Sequence, residues 1–187
     1  LVVGNSITRH GPREEIGWDY DWGMAATEQH RDWVHLVLSQ MPTDSELSLV
    51  HCTAPNLVSQ VSAIEARVAS SQATVVVVQV GDNLSAGDAN DETLLEPVAR
   101  LLQAADAHSA KVVVGIWGGD DLRDQLLQQA ADDAGAMFVP IHDLANLPGH
   151  RAWEQGVFEH PDVGWHPSDD GMAAIAERVA SALGYSE

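Results

Sequence analysis

The chain has 187 residues, a length that suits one domain with a hydrophobic core, and we expect a single domain over residues 1–187. Its 28 acidic and 9 basic residues give a formal charge of −19, which opposes binding to phosphate backbones and anionic membranes. Nucleic acid is therefore excluded as an expected partner. The apolar runs are all shorter than the ~20 residues of a membrane helix, so no membrane span is predicted.

Five apolar segments predict five β-strands, over residues 1–3, 47–52, 74–80, 111–117 and 137–141. Residues 75–78 and 112–114 are continuous valine runs, typical of parallel strands that are buried on both faces of a sheet. Because the first residue already lies in a predicted strand, we expect the natural N-terminus to be trimmed, and the cellular compartment stays open.

The segments between and after these strands have helical periodicity, over residues 28–41, 56–69, 93–108, 120–135 and 168–183. Strand and helix alternate, which predicts right-handed βαβ units and a three-layer α/β/α sandwich around a five-stranded parallel sheet. Residues 145–164 are rich in Pro, Gly, His and Trp and predict a long irregular loop with a functional role.

The first strand ends at Gly4 and is followed by Asn5 and Ser6. Gly4 allows a sharp turn, and the carboxyl ends of strands in open α/β sheets are where ligands bind. This position favours Ser6 as a nucleophile. The alternative is an ordinary strand-to-loop turn with a hydrogen-bonding serine. Cys52, the single cysteine, excludes an internal disulfide and is interpreted as a small buried hydrophobe.

Two further polar residues, like Ser6, lie where they can face the carboxyl ends of the predicted strands. Asn83 follows the third predicted strand, and its amide can donate to an oxyanion, although a turn or helix-capping asparagine would look the same. His166 precedes Pro167 and Ser168 at the start of the last predicted helix, where a loop can present its imidazole toward the strand ends. A surface histidine is the alternative interpretation.

The three motifs GNS (residues 4–6), GDN (81–83) and HP (166–167) resemble, in order and spacing, the first, third and fifth sequence blocks of the SGNH (GDSL-like) hydrolase superfamily. The resemblance covers essentially the whole chain. Residues 4–26 also resemble a bacterial subgroup of this superfamily, many of whose members are associated with carbohydrate esterase activity. The resemblance implies a flavodoxin-like fold and a serine esterase that needs no metal or cofactor.

In the mechanism that this resemblance implies, Ser6 attacks an ester carbonyl and His166 accepts the serine proton and returns it to the leaving alcohol. The Ser6 N–H and the Asn83 amide would stabilise the oxyanion. Two positions depart from the family pattern. The acid expected three residues before the histidine is replaced by Val163, so Asp162 is the candidate third member; otherwise a Ser–His dyad operates or a main-chain carbonyl orients the ring.

The second departure is the absence of a glycine in HCTAPNLVSQ (residues 51–60), where the family supplies an oxyanion donor. Asn56 lies near the expected place and tolerates glycine-like backbone angles, so its N–H is a candidate third donor. A metal site built on His160, Asp162 and His166 lacks a fourth ligand and is not expected.

The preferred function is hydrolysis of small acyl esters, with acetyl groups on a small molecule or an oligosaccharide as substrate. Four tryptophans in predicted loops suit stacking on a sugar ring or filling the rim of a core: Trp18, Trp22, Trp153 and Trp165. Two alternatives stay open. One is a general short-chain or lipid-type esterase or thioesterase, and the other is a catalytically weak carbohydrate-binding module on the same fold.

Overall fold

A parallel β-sheet organises the chain, which the computed structural model describes over residues 1–53, 57–119 and 121–185. Within these ranges the sheet has five strands in the order β2-β1-β3-β4-β5, all neighbours being parallel. The strands are β1 (Val2–Gly4), β2 (Leu49–His51), β3 (Val75–Gln79), β4 (Ala110–Val114) and β5 (Met137–Val139). The predicted α/β/α fold with a five-stranded parallel sheet is confirmed, and the strand order is that of flavodoxin-like folds.

Helices cover both faces of the sheet. They are α1 (Trp33–Gln40), α2 (Val61–Ser70), α3 (Glu96–Ala104), α4 (Asp121–Asp133), α5 (Ala152–Gln155), α6 (Pro161–Gly164) and α7 (Asp169–Leu183). One apolar cluster joins the sheet to α2, α3 and α4, and a second joins it to α1 and α7. None of the helices in the described ranges combines the length and apolar character needed to cross a membrane.

The valine runs form strands because both faces of the sheet are buried. In β4, Val113 packs into the cluster with α2, α3 and α4, whereas Val112 and Val114 pack into the cluster with α1 and α7. Successive side chains of a strand point to opposite faces, so a strand covered on both sides needs apolar residues at every position.

Residues 145–164 are not one irregular loop, as the composition predicted, but contain the short helices α5 and α6. Pro161 begins α6 at a position where a missing N–H costs nothing, and Gly156 ends α5 with a left-handed φ of 67°. Proline and glycine here delimit helices of one turn, so their abundance does not indicate an irregular loop.

Candidate active site

Ser6 and His166 lie 160 positions apart in the chain and are hydrogen-bonded at the carboxyl ends of the strands. The Ser6 Oγ is 2.7 Å from the His166 Nε2, and each residue is 8% exposed. Ser6 sits in the turn directly after β1, and His166 lies between α6 and α7. The two residues singled out from the sequence are thus brought within hydrogen-bond distance, the geometry that a nucleophile and its general base require.

The turn after β1 is sharp because Gly4 has no side chain. A Cβ at Gly4 would lie only 2.1 Å from the Thr8 Oγ1, so any other residue would displace the chain that follows the nucleophile. The turn itself is closed by the N–H groups of Thr8 and Arg9, which both donate to the Asn5 carbonyl. Ser6 is therefore held at a fixed point above the end of β1.

The other side of the His166 ring is oriented by a main-chain carbonyl and not by a carboxylate. The His166 Nδ1 lies 2.7 Å from the Asp162 carbonyl oxygen, whereas the Asp162 side chain is 72% exposed and is 3.9 Å from the His160 Nδ1. The expectation that the Asp162 carboxylate completes a triad is corrected: the residue contacts the ring through its backbone. Since a carbonyl only accepts, the proton is on Nδ1 and the Nε2 lone pair faces Ser6.

Val163, the residue at the family's acid position, points into the protein core. Its side chain is 0% exposed and packs in a small apolar cluster with Ile16, Trp18 and Ala152. An acid at this position would be desolvated instead of reaching His166, which explains why the chain carries valine there.

Burial lowers the pKa of His166 to about 4, with its hydrogen bond to the Asp162 carbonyl raising it in part. A positive charge on the nearby His10 would also lower the pKa. The imidazole is therefore neutral at pH 7, the form that can accept a proton from Ser6.

Asn5, noted in the sequence only as part of the first motif, ties three strand ends together. Its side-chain NH₂ donates to the Cys52 carbonyl after β2 (2.9 Å), and its side-chain oxygen accepts from the Gly81 N–H after β3 (3.1 Å). Its own N–H donates to the carbonyl of Gln79. Asn5 is 2% exposed, so these bonds are made away from solvent and fix the position of the neighbouring Ser6.

The turns after β1 and β3, which the Asn5 side chain joins, each carry a group that can donate a hydrogen bond to an oxyanion. No acceptor among the described residues bonds the Ser6 N–H, and none engages the amide of Asn83, which is exposed in the turn after β3. Asn56, the candidate third donor, lies outside the described residues.

A second polar network lies under this turn and was not anticipated from the sequence. The Asp82 Oδ1 accepts from the Trp117 N–H (2.8 Å), and the Oδ2 accepts from the Gln79 side-chain NH₂ (2.5 Å). The Gln79 side-chain oxygen in turn accepts from the Thr8 hydroxyl (3.0 Å). Burial raises the pKa of Asp82 to about 6. No local pattern signals this network, because its members come from three separate strand ends.

The loop that carries His166 is paired with residues 150–152. The Ala152 N–H donates to the His166 carbonyl (3.0 Å), and the Ser168 N–H donates to the His150 carbonyl (2.8 Å). The Ser168 hydroxyl also caps α7 by accepting from the Gly171 N–H (3.1 Å). The histidine is thus fixed between a short backbone pairing and the start of a helix.

Aromatic side chains surround the same loop. The carbonyl of Trp165 accepts from the Trp117 Nε1 (3.1 Å) and from the Arg151 Nη1 (3.2 Å), and the Trp165 ring lies with its centroid 5.6 Å from that of His166. The Arg151 guanidinium lies 4.9 Å from the ring of Trp153, which is 51% exposed. Trp18, by contrast, is fully buried and belongs to the core.

The remaining His, Cys, Asp and Glu side chains of the described residues are the groups that a metal centre would require. Among the described residues, no group of three or more His, Cys, Asp and Glu side chains is arranged to hold a metal ion. The His160 Nδ1 is bonded by the Asp162 N–H at 3.2 Å, so it caps α6. A cavity of about 770 Å³ is lined by Val2, Val34 and neighbouring residues at the amino ends of the strands, away from Ser6.

The fold matches several solved structures over nearly its whole length. TesA is 18% identical, with a TM-score of 0.63 over 97% of this chain and 96% of that chain. A member of the lipolytic G-D-S-L family from Veillonella parvula is 12% identical, with a TM-score of 0.59 over 98% and 96%. An acetylxylan esterase from Geobacillus stearothermophilus is 15% identical, with a TM-score of 0.59 over 99% and 93%.

No family model and no curated protein sequence matches the chain. At identities this low, the likeness is one of fold. The fold is shared over 93–96% of the length of these neighbours, and the resemblance drawn from the three sequence motifs is confirmed at the level of the fold. The chain therefore has the fold of the SGNH (GDSL-like) hydrolases.

Proposed function

We propose that the protein is a serine ester hydrolase in which Ser6 is the nucleophile and His166 is the general base. The observation that carries this proposal is the 2.7 Å contact between the Ser6 Oγ and the His166 Nε2, with the opposite ring nitrogen held by the Asp162 carbonyl. This arrangement selects the tautomer that can accept the serine proton. The ester hydrolases among the structural neighbours support the same assignment.

In the first half of the reaction, the Ser6 Oγ attacks the ester carbonyl while its proton passes to the His166 Nε2. The resulting imidazolium then gives this proton to the leaving alcohol, and an acyl-enzyme remains on Ser6. In the second half, His166 takes a proton from water, which attacks the acyl group and releases the acid. The neutral Asp162 carbonyl orients the ring, but it stabilises the imidazolium less than a carboxylate would.

The negative charge of the tetrahedral intermediate would be stabilised by the Ser6 N–H and the Asn83 amide. Neither donor is engaged by another group in the described part of the chain, and each lies in a turn fixed by Asn5. Asn56 is proposed as a third donor through its N–H. The loss of one such donor typically lowers the rate by roughly 10²–10³.

For the substrate, we propose a small acyl group, acetyl in the first place, esterified to a carbohydrate. Trp165 lies in the His166 loop, and the half-exposed Trp153, which packs against Gly164 of this loop, offers a surface that suits a sugar ring. The acetylxylan esterase among the neighbours acts on such an ester. The lipolytic neighbour makes a lipid-type ester the competing assignment.

Labelling with a fluorophosphonate probe tests the catalytic assignment. We expect modification of Ser6, located by mass spectrometry, and its loss in Ser6→Ala. A matched control is Ser39→Ala, which removes an exposed serine of α1 and should label like the wild type. The absence of labelling in a folded wild-type protein would contradict the hydrolase and favour a carbohydrate-binding module.

A series of p-nitrophenyl esters from acetate to palmitate, together with acetylated xylo-oligosaccharides, tests the substrate assignment. We expect activity to fall steeply beyond about four carbons, because a site that binds acetyl groups would not bury further CH₂ groups, each of which contributes ~0.8 kcal/mol when buried. A value of kcat/KM that rises toward long chains would instead identify a lipid-type esterase.

A further inference from the structure

The turn formed by residues 81–84, which carries Asn83, is held by side chains from several directions. From the β1 side, the Asn5 side-chain oxygen accepts from the Gly81 N–H (3.1 Å). From the α4 side, the Arg123 Nη1 donates to the carbonyls of Gly81 (3.1 Å) and Leu84 (2.8 Å). The backbone of the turn is thus fixed at both of its ends.

The middle of the turn is fixed by the side chain of Asp82. One carboxylate oxygen bonds the Trp117 N–H beyond β4, and the other bonds the Gln79 side chain at the end of β3. Gln79 is itself 0% exposed and is bonded to Thr8, which follows the nucleophile in the turn after β1. Bonds at both oxygens hold the Asp82 side chain in one orientation. They thereby restrain the backbone conformation of the turn where Asn83 follows.

Trp117 extends the same connection to the general base. Its N–H bonds Asp82, while its indole N–H bonds the carbonyl of Trp165, the residue directly before His166. Asp82 is therefore joined by hydrogen bonds to the nucleophile turn through Gln79 and to the histidine loop through Trp117.

We propose that Asp82 is a positioning residue that places the amide of Asn83 at the oxyanion of the tetrahedral intermediate. The inference rests on the proposed function, because it takes Asn83 as an oxyanion donor. Asp82 does not touch the substrate. It acts through the turn, in which Asn83 is exposed.

The hydrogen bonds, and not the charge, perform this role, which distinguishes two variants. In Asp82→Asn, the side-chain oxygen keeps the bond from the Trp117 N–H. The new NH₂ donates to the Gln79 oxygen once the Gln79 amide turns over, and the Thr8 hydroxyl then accepts from the Gln79 NH₂. In Asp82→Ala, both bonds are lost and the middle of the turn is no longer held, while its ends stay bonded to Asn5 and Arg123.

The test measures kcat and KM for p-nitrophenyl acetate in both variants. For Asp82→Ala we expect kcat to fall by about 10- to 100-fold with KM changed less than about twofold, because a misplaced donor weakens an interaction made in the transition state. For Asp82→Asn we expect kcat within about threefold of the wild type. An Asp82→Asn variant as inactive as Asp82→Ala would overturn the proposal.

A double-mutant cycle with Asn83→Ala shows whether Asp82 acts through Asn83. We expect Asn83→Ala alone to lower kcat by roughly 10²–10³. Adding Asp82→Ala to it should then change kcat less than about twofold, because the donor to be positioned is gone. A further full loss in the double variant would show that Asp82 acts by another route and would overturn its role.

If Asp82→Ala does not fold, Asp82→Ser replaces it in the cycle. The short serine hydroxyl can bond only one of the two partners, Gln79 or the Trp117 N–H, and the results are interpreted as for Asp82→Ala. A wild-type protein that neither hydrolyses the ester nor labels at Ser6 removes the proposed function and this inference together. An active wild type with additive losses removes the role of Asp82 alone.

Discussion

The two halves of the candidate site are fixed by different kinds of contact. The turn that carries Ser6 is held by buried polar side chains, with Asn5 bonded to the ends of β2 and β3. The loop that carries His166 is held at its main chain, which pairs with residues 150–152 and whose Trp165 carbonyl accepts from the side chains of Trp117 and Arg151, while the Asp162 carbonyl orients the ring. A side-chain substitution should therefore disturb the nucleophile half more than the histidine half.

This difference follows from where the two halves lie in the fold. The Ser6 turn sits on the central strands, where neighbouring strand ends leave N–H and C=O groups that a side chain can satisfy away from water. The His166 loop joins two helices at the rim, and the one-turn helix α6 supplies a carbonyl directly. The expected effects of substitution decrease from the nucleophile half to the histidine half.

Asn5→Ala should have the largest effect. The substitution removes the hydrogen bonds to the Cys52 carbonyl and the Gly81 N–H, so the free energy of unfolding should fall by about 2–3 kcal/mol. Because Ser6 and the 81–84 turn are then no longer tied together, kcat should fall by about 10- to 100-fold. Urea unfolding and the hydrolysis of p-nitrophenyl acetate measure the two effects.

The matched control is Asn90→Ala. Asn90 also makes side-chain hydrogen bonds, to the N–H groups of Glu92 and Thr93, but it caps a turn before α3. We expect a loss of about 1 kcal/mol in stability and an unchanged kcat. An Asn5→Ala variant that loses stability but keeps full kcat would show that joining the strand ends does not position the nucleophile.

A change of pH should have an effect of intermediate size on kcat/KM, which depends on the burial of His166. Since the pKa of His166 is lowered to about 4, the imidazole stays neutral and kcat/KM should change little between pH 7 and pH 5. Below pH 4 it should fall about tenfold per pH unit, because the protonated ring cannot act as a base. A histidine with an ordinary pKa near 6.5 would already lose about 30-fold at pH 5.

The free energy of unfolding should also depend on the protonation of His166, and it should decrease as the pH falls. The unfolded chain binds a proton at His166 near pH 6.5, whereas the folded chain binds it only near pH 4, so protonation favours unfolding. The contribution of His166 to stability is present above pH 6.5 and is lost as the pH falls toward 4. Unfolding of His166→Gln as a function of pH, compared with the wild type, isolates this contribution.

The fold was predictable from the sequence because its signals are local. Runs such as residues 75–78 and 112–114 identify strands buried on both faces, and their alternation with helices leaves few topologies. The resemblance of three sequence motifs to a superfamily then identified Ser6, Asn83 and His166 as the candidate site residues. The hydrogen-bonding roles of Asn5, Asp82 and Gln79 were not predictable, because they join groups at the ends of different strands and no local sequence pattern indicates these partners.

The contact of the Asp162 carbonyl with His166 could not be predicted from the sequence for a different reason. A single residue of spacing on a short helix turns a side chain by about 100°. At position 163 the side chain faces the core, and at position 162 it faces solvent, so neither can give His166 a carboxylate. The backbone carbonyl of Asp162 is in reach, but sequence spacing describes side chains and does not indicate which carbonyl a helix end presents.

The smallest effect is expected for Asp162→Asn, and it separates the two ways of orienting a catalytic histidine most directly. The substitution removes a carboxylate that is exposed and directed at His160, and it leaves the carbonyl bonded to the His166 Nδ1 in place. We expect kcat for p-nitrophenyl acetate within about threefold of the wild type and an unchanged acid limb in the pH profile. Neutralising a true triad carboxylate costs about 10⁴ in kcat. A loss approaching that size in a folded variant would mean that the carboxylate turns inward during catalysis and that the histidine half, like the nucleophile half, depends on a polar side chain.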